Sequence, residues 1–357
     1  MRTRTYSFVA GSALLLCAAS GCHSDKKAAA KAAPSAAAPA VSAAAPDDTP
    51  KGCQASGDKP VQIGTVLGDV EGFGQDGTKL YYTSWQLYGS RGDFGWVRKD
   101  GQAGRTVASL ALEPQSLAVG DKNVYFTTGI RLMSISRTGG DAHKLVDVFS
   151  SKHIALFGKD VLGVPGDYGP YDRLAKIAKT GGAVTELASG DRPKVKDTPN
   201  GYSSVRADDH AAYVTDSGNG RILAFPLPKG KYKVLASHLA KPFDLVMGES
   251  TLYFNQALDG QLMSVSKKGG KAKKLAKGLV KNARIAGDDR SLYAAFAGKG
   301  EDDPQALSAI SPADGKVEPF AIVPSLQTVS AIAVDKACVY WVVRQDAGKS
   351  VVYARKR

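Results

Sequence analysis

From residue 61 onward, apolar and polar positions alternate with a period of two, in short runs separated by clusters of Gly, Asp, Asn and Lys. Such alternation places every second side chain on one face of a β-strand. One strand pair recurs: a β-branched run, a Gly/Asp turn, then an aliphatic-Tyr-aromatic core. It reads Ser116-Leu-Ala-Val-Gly-Asp-Lys-Asn-Val-Tyr-Phe-Thr127, and returns as Phe243-Asp-Leu-Val-Met-Gly-Glu-Ser-Thr-Leu-Tyr-Phe254 and Ser330-Ala-Ile-Ala-Val-Asp-Lys-Ala-Cys-Val-Tyr-Trp341. Weaker copies centre on Tyr81, Leu162, Tyr213 and Tyr293. A second hairpin follows each centre. Leu132-Met-Ser-Ile-Ser-Arg-Thr-Gly-Gly-Asp-Ala-His-Lys-Leu145 matches the segments 174–187 and 262–275, each with Gly-Gly at its turn. Paired glycines supply the positive φ that a tight hairpin requires.

The seven centres, at 81, 125, 162, 213, 253, 293 and 340, lie about 43 residues apart, the period of a four-stranded blade. The predicted fold is all-β: a seven-bladed β-propeller, with strands a to d running outward from the axis in each blade. The seventh copy stops after Ser350-Val-Val-Tyr-Ala354 and lacks a strand d. Val61-Gln-Ile-Gly-Thr-Val-Leu67, ahead of the first strand a, is expected to supply it, closing the ring and removing an open sheet edge. Cys53 lies just before that strand and Cys338 inside the same blade, so a Cys53–Cys338 disulfide is expected to clamp the closure.

This repeat resembles those of YWTD-type and NHL-type propellers and of the repeat lipoproteins of bacterial envelopes. Tyr213-Val-Thr-Asp216 keeps the Tyr-x-Thr-Asp of the first family and Tyr340-Trp341 its first pair, while Tyr125-Phe-Thr-Thr128 departs from it. The resemblance implies a binding platform more than a reaction.

The N-terminus carries an address. Arg2 and Arg4 precede the apolar run from Phe8 to Ala19, with small residues after it. That is the layout of a secretory signal, and the run is too short to span a bilayer. Ala19-Ser20-Gly21-Cys22 resembles the lipobox of bacterial lipoproteins, which implies acylation of Cys22 and a membrane contact through the lipid. His23, rather than Asp, follows that cysteine, so outer-membrane sorting in the cell envelope is expected. Lys26–Pro50 is mostly Ala, Pro, Ser and Lys, a composition that buries too little surface to offset ordering. The expected organisation is a signal peptide over 1–21, a tether over 22–58 and the propeller over 59–357.

The formal net charge of +13 fits a solvated basic surface on Lys-rich turns. Aromatics do not interleave with those lysines, which argues against nucleic acid. Gly72-Phe-Gly-Gln-Asp-Gly77 matches a dinucleotide fingerprint, but a strand follows it where a helix is required, so it reads as an a–b hairpin turn. The histidines have no zinc-ligand spacing, and no cofactor, metal or nucleophile motif is evident. Candidate function therefore falls on the b–c and d–a loops, which share one face of a propeller. Trp85, Tyr88 and Phe94 are assigned to one long b–c loop, Tyr168 and Tyr171 to another. Aromatics beside acids suit sugars, peptides or cationic groups. The chain reads as a monomeric, non-catalytic binding or scaffold propeller for a protein or glycan of the envelope. The alternative is a propeller hydrolase or lyase, marked by acids or histidines from three or more blades around one pore.

Overall fold

A computed structural model describes residue 53 and residues 57–86, 91–110, 113–149, 151–165, 173–189, 201–228, 230–298, 304–324, 327–345 and 348–357. Among these, twenty-eight strands assemble into seven four-stranded antiparallel sheets. Blade 1 comprises β2 (Asp69–Gln75), β3 (Lys79–Gln86), β4 (Arg91–Arg98) and β5 (Gly104–Leu110). Blade 2 holds β6 (Pro114–Val119), β7 (Asn123–Thr128), β8 (Arg131–Ser136) and β9 (His143–Val146). In blade 3 are β10 (Ile154–Phe157), β11 (Asp160–Gly163), β12 (Arg173–Ala178) and β13 (Thr185–Ser189). Blade 4 follows with β14 (Tyr202–Ala207), β15 (Ala211–Asp216), β16 (Arg221–Pro226) and β17 (Lys233–Ala236). Blade 5 is β18 (Pro242–Met247), β19 (Thr251–Gln256), β20 (Gln261–Ser266) and β21 (Lys273–Lys277). Blade 6 is β22 (Ile285–Gly287), β23 (Leu292–Phe296), β24 (Gln305–Ile310) and β25 (Val317–Val323). Blade 7 is β26 (Thr328–Val334), β27 (Cys338–Gln345), β28 (Lys349–Lys356) and, from the other end of the chain, β1 (Val61–Leu67). All seven sequence centres fall in the second strand of a blade.

Closure follows the expected route. β1 pairs antiparallel with β28, from Val61 opposite Ala354 to Leu67 opposite Lys349. Cys53 and Cys338 are disulfide-bonded with Cα atoms 6.2 Å apart, within the span such a bond bridges without backbone movement. Both sulfurs are buried in the apolar cluster between blades 7 and 1, with Ile63, Val66, Tyr82 and Val352. The turn glycines behave as anticipated: Gly139, Gly140, Gly269 and Gly270 all have positive φ.

Each of the seven blade junctions holds its own apolar cluster, so the core is a ring of wedges. Phe94 corrects one expectation. It is fully buried in β4, opposite Thr83, and stacks between Tyr81 at 6.3 Å and Phe126 at 6.1 Å. The strands β3 and β4 run on through Gln86 and from Arg91, so the b–c connection is far shorter than the long loop the sequence suggested. Arg91-Gly-Asp93 is therefore strand, and Asp93 is buried, accepting from Gln86 Nε2 at 2.7 Å and Arg91 Nε at 3.1 Å. Burying Phe94 between two rings gains more than any loop position would offer.

The a–b and c–d turns are tied together across blades. Asp76, Asp208, Asp288 and Asp335 each cap their own a–b turn by accepting from backbone N–H groups two and three residues on. Tyr81, Tyr213 and Tyr340 donate to the aspartate five residues earlier, at 2.8, 3.1 and 3.1 Å. A cation from the end of strand c in the following blade completes each clasp. Arg137 reaches Asp76, Lys267 reaches Asp208 at 3.0 Å, Lys99 reaches Asp335 at 2.8 Å, and Arg357 reaches Asp288. Each of these cations also lies over a tyrosine ring, those of Tyr81, Tyr213, Tyr340 and Tyr293 respectively. Burial pushes the Tyr213 hydroxyl up to about 12, with Asp208 acting in the same direction. For Asp208 and Asp335, burial acts upward but the lysine and the turn N–H groups outweigh it, leaving both below the usual carboxylate range.

Candidate functional site at the channel mouth

The inner strand of every blade lines a central cavity of about 420 Å³. Nine residues before each sequence centre stand Gly72, Ser116, His153, Ser204, Asp244, Arg284 and Ala331. Register places Gly72, Ser116 and Ser204 opposite Thr83, Thr127 and Thr215 of the second strand, so these positions form one level of the ring. Four of the seven are small. At Gly72 a Cβ would come within 2.5 Å of Thr83 Oγ1 and 2.7 Å of Leu117 Cβ, so blade 2 packs directly on the backbone there. The other three are His153, Asp244 and Arg284, from blades 3, 5 and 6.

A β-bulge recurs at this level. The ladder slips between Val70 and Gly72, Pro114 and Ser116, Tyr202 and Ser204, and Val329 and Ala331, with a matching slip before Leu245. The extra residue of a bulge re-aims its side chain. Glu71, Gln115 and Ser330 are such residues, and all three line the cavity. Gln115 Oε1 and Ser330 Oγ are buried atoms without a hydrogen-bond partner in the protein.

Asp244 is saturated. It accepts from Leu245 N at 2.9 Å, from Ile285 N of the next blade at 3.3 Å, and from Arg206 at 3.4 Å. Burial would raise its pKa, but the guanidinium groups of Arg206 and Arg284 overcome this and hold it low. His153 is buried, with its ring edge-on to Phe243 at 6.4 Å. Burial pushes its pKa down to about 3, with Arg284 and Arg206 adding to the effect and Asp244 opposing it. The imidazole is therefore neutral. Its Nε2 lies 3.3 Å from Arg284 Nη1, which can only donate, so the ring proton belongs on Nδ1. A general-base role for that nitrogen is blocked while Arg284 holds it. Glu71 is solvent-accessible yet lines the cavity inside the ring. Burial, with Glu113 and Asp69, raises its pKa against the pull of Arg284 and Arg344.

This level lies at the beginning of the inner strands, the end shared with the b–c and d–a loops. On the same face large apolar side chains are exposed: Leu67 at 62%, at the end of outermost β1, Val148 at 65%, just after outermost β9, and Leu258 at 74% in a b–c turn, with Ile130 of another b–c turn beside Val148. Phe149 N donates to Ile130 O, which brings those two together, and Val148 has φ 62°, a conformation that β-branched residues rarely adopt. Trp85 is half-buried at the end of β3, opposite Gly92, on the same face. The remaining exposed large apolar residues, Val184, Val234, Val317 and Ile322, lie on or beside outermost strands.

Of the residues selected from sequence, Trp85 lies on this face, Phe94 does not reach it, and Cys22, Tyr88, Tyr168 and Tyr171 lie outside the described residues. Asp216, the last residue of the Tyr-x-Thr-Asp match, is buried at the end of β15 and pinned to Arg221 at 2.7 Å and to Asn219, so it staples its own turn. His153, Asp244 and Arg284 were not connected by sequence reasoning. Counting back nine residues from each centre would have aligned them. Among the described residues no cluster of His, Cys, Asp or Glu could hold a metal ion, and no helix is long and apolar enough to cross a membrane.

No family model and no curated protein sequence matches the chain. Solved structures do. A streptogramin B lyase structure superposes with a TM-score of 0.61 at 14% identity, covering 84% of this chain and 97% of that one. The WD40 domain of Neurospora crassa Pan2 gives 0.60 at 11% identity, covering 85% and 97%. PorZ, a surface component of the type-IX secretion system of Porphyromonas gingivalis, gives 0.54 at 12%, covering 84% of this chain and 39% of PorZ. The chain is a seven-bladed β-propeller. At these identities the likeness is one of fold, and the three neighbours differ in role.

Proposed function

We propose that this propeller is an exported binding platform, anchored through an acylated Cys22, that presents its b–c/d–a face to a protein or glycan of the cell envelope. The observation that carries this reading is that Leu67, Ile130, Val148 and Leu258, exposed large apolar residues of three different blades, all lie on the b–c/d–a face, the face on which the charged residues of the channel begin their inner strands. Apolar side chains left in solvent on one face favour that face as an interaction surface. PorZ, a propeller-containing surface component, is compatible with an envelope setting. The chain acts as a monomer on a tether over 22–58, with the outer membrane as its expected site.

A hydrolase or lyase is the second reading, favoured by His153, Asp244 and Arg284 meeting from three blades. It is weakened by their pairing, since the imidazole lone pair and the Asp244 oxygens already have partners. A photo-crosslinking residue placed at Leu258 or Val148 of the tethered protein in envelope membranes should yield one defined adduct, and the same residue at Lys268 or Lys274 none. Adducts from the lysine positions alone would contradict the reading. Intact-mass analysis of the mature chain should show a lipid-modified N-terminal cysteine, and an unmodified N-terminus would remove the anchor.

A further inference from the structure

Arg284 immediately precedes the inner strand of blade 6, and His153 immediately precedes that of blade 3. In a ring of seven these blades are as far apart as any two can be, so the 3.3 Å contact from Arg284 Nη1 to His153 Nε2 lays the arginine side chain across the channel. The guanidinium rests over the Phe243 ring at 5.8 Å. Among the described residues, His153 Nε2 is its hydrogen-bond acceptor, and no carboxylate lies within ion-pair distance of it. A guanidinium has five N–H donors and a fixed charge, and a neutral nitrogen satisfies one donor and none of the charge. Arg206 and Lys152 add two more cations to the same cavity wall. A planar two-oxygen anion is the group that matches the unoccupied edge of an arginine.

We infer that Arg284 is the recognition residue of the channel mouth and receives a single carboxylate carried by the ligand, with Arg206 and Lys152 supporting it from the wall. The inference rests on the binding-face reading and names the chemistry of its ligand. Glu71 and Asp244 both lie within the electrostatic reach of Arg284, so a second negative charge on the ligand meets repulsion. That selects a carboxylate over a phosphate dianion. The cavity, at about 420 Å³, has the size of a small-ligand pocket and admits one sugar or amino-acid residue.

The test is calorimetric titration of the full chain with four probes: glucuronate, glucose, glucose 6-phosphate and N-acetylalanine. Glucuronate or N-acetylalanine should bind at least about tenfold more tightly than glucose and glucose 6-phosphate. Which of the two binds separates an acidic sugar from a peptide terminus as the source. Arg284→Gln should lose at least about tenfold, Arg284→Lys should retain part of the affinity, and Lys268→Gln should be unchanged. His153→Gln keeps or raises affinity, because the guanidinium no longer has an imidazole to leave. Preference for glucose 6-phosphate, failure of both carboxylates at millimolar concentration, or full affinity in Arg284→Gln overturns the inference. So does loss in His153→Gln with affinity kept in Arg284→Lys, which would place the recognition on the histidine. If neither carboxylate binds but Leu258 still crosslinks to a partner, the inference fails while the face reading stands. If carboxylate binding depends on Arg284 but crosslinks form only from Lys268, the reverse holds.

Discussion

On the a–b/c–d face, Asp76, Asp208, Asp288 and Asp335 are each bound to a cation of the following blade, and the cation in turn covers a tyrosine ring. On the opposite face Glu71, Lys152 and Arg284 stand around a cavity, and Leu67, Ile130, Val148 and Leu258 face solvent. The same residue types do different jobs at the two ends of the same strands. Charges at one end are satisfied by the next blade and hold the ring together. At the other end they are only partly satisfied, and the apolar side chains of that face are uncovered. The lysines of the clasped face looked like a plain solvated surface in sequence, yet Lys99 and Lys267 lock neighbouring blades. Stability and recognition are thus segregated by face.

The largest test of this division is the closure. Replacing Cys53 and Cys338 together with Ser should cost about 5–6 kcal/mol in the chain-entropy model, since the bond closes a loop over a sequence separation of 285 residues. The melting temperature should fall by about 10 °C, with carboxylate binding unchanged at temperatures below the transition. A smaller loss is expected from Asp335→Ala, which removes the acceptor of Tyr340, Lys99 and two backbone N–H groups. Because Asp335 is partly exposed, about 2 kcal/mol is the expected cost, again without effect on binding. A binding defect in either variant would mean that the faces are coupled.

Titration separates the faces by pH. The unfolded His153 imidazole takes up a proton near 6.5, whereas in the fold its pKa lies at about 3. Stability should therefore be complete above pH 6.5 and decline as the pH falls toward 3. His153→Gln should remove the decline between pH 6.5 and about 4, which belongs to the channel. Below about pH 4 the depressed Asp208 and Asp335 of the clasped face contribute a further loss, to which Asp244 of the channel adds. At the alkaline end, Tyr213 and Tyr253, both raised to about 12, keep their stabilisation up to pH 10 and lose it as the pH rises through 12. Equilibrium unfolding across the pH range, with and without His153→Gln, checks each limb.

The smallest effect is expected at Val148. Its left-handed backbone strains a β-branched residue, so Val148→Gly should stabilise the fold by up to about 1 kcal/mol. Retention of such a residue in an exposed turn makes sense if its side chain meets a partner, and crosslinking efficiency at Leu258 should then fall in the same variant.

Much of the architecture was legible because each blade repeats its own instructions. Tyr125, Tyr253 and Tyr340 sit in equivalent strands, paired glycines mark the c–d turns, and the missing seventh outer strand pointed to β1. The site was less legible for two reasons. Alternation alone could not place the end of β3, so Phe94 was read as loop when its packing between Tyr81 and Phe126 extends the hairpin. And His153, Asp244 and Arg284 are each one member of a seven-fold set, separated by whole blades. Only their shared offset from the blade centres relates them in sequence, and that Arg284 crosses the channel is a tertiary fact.

The division between faces is tested most directly by comparing two multiple variants for partner capture from envelope membranes, with melting temperature as the control. One carries Trp85→Ala and Leu258→Ser, the other Lys268→Gln, Lys273→Gln and Lys274→Gln. The first should melt within about 2 °C of the parent and lose the crosslinked partner, since Leu258 is 74% exposed and Trp85 only half-buried. The second should keep the partner and change only the salt dependence of its capture. Capture that survives the first variant and disappears in the second would contradict the division and move the working surface to the clasped face.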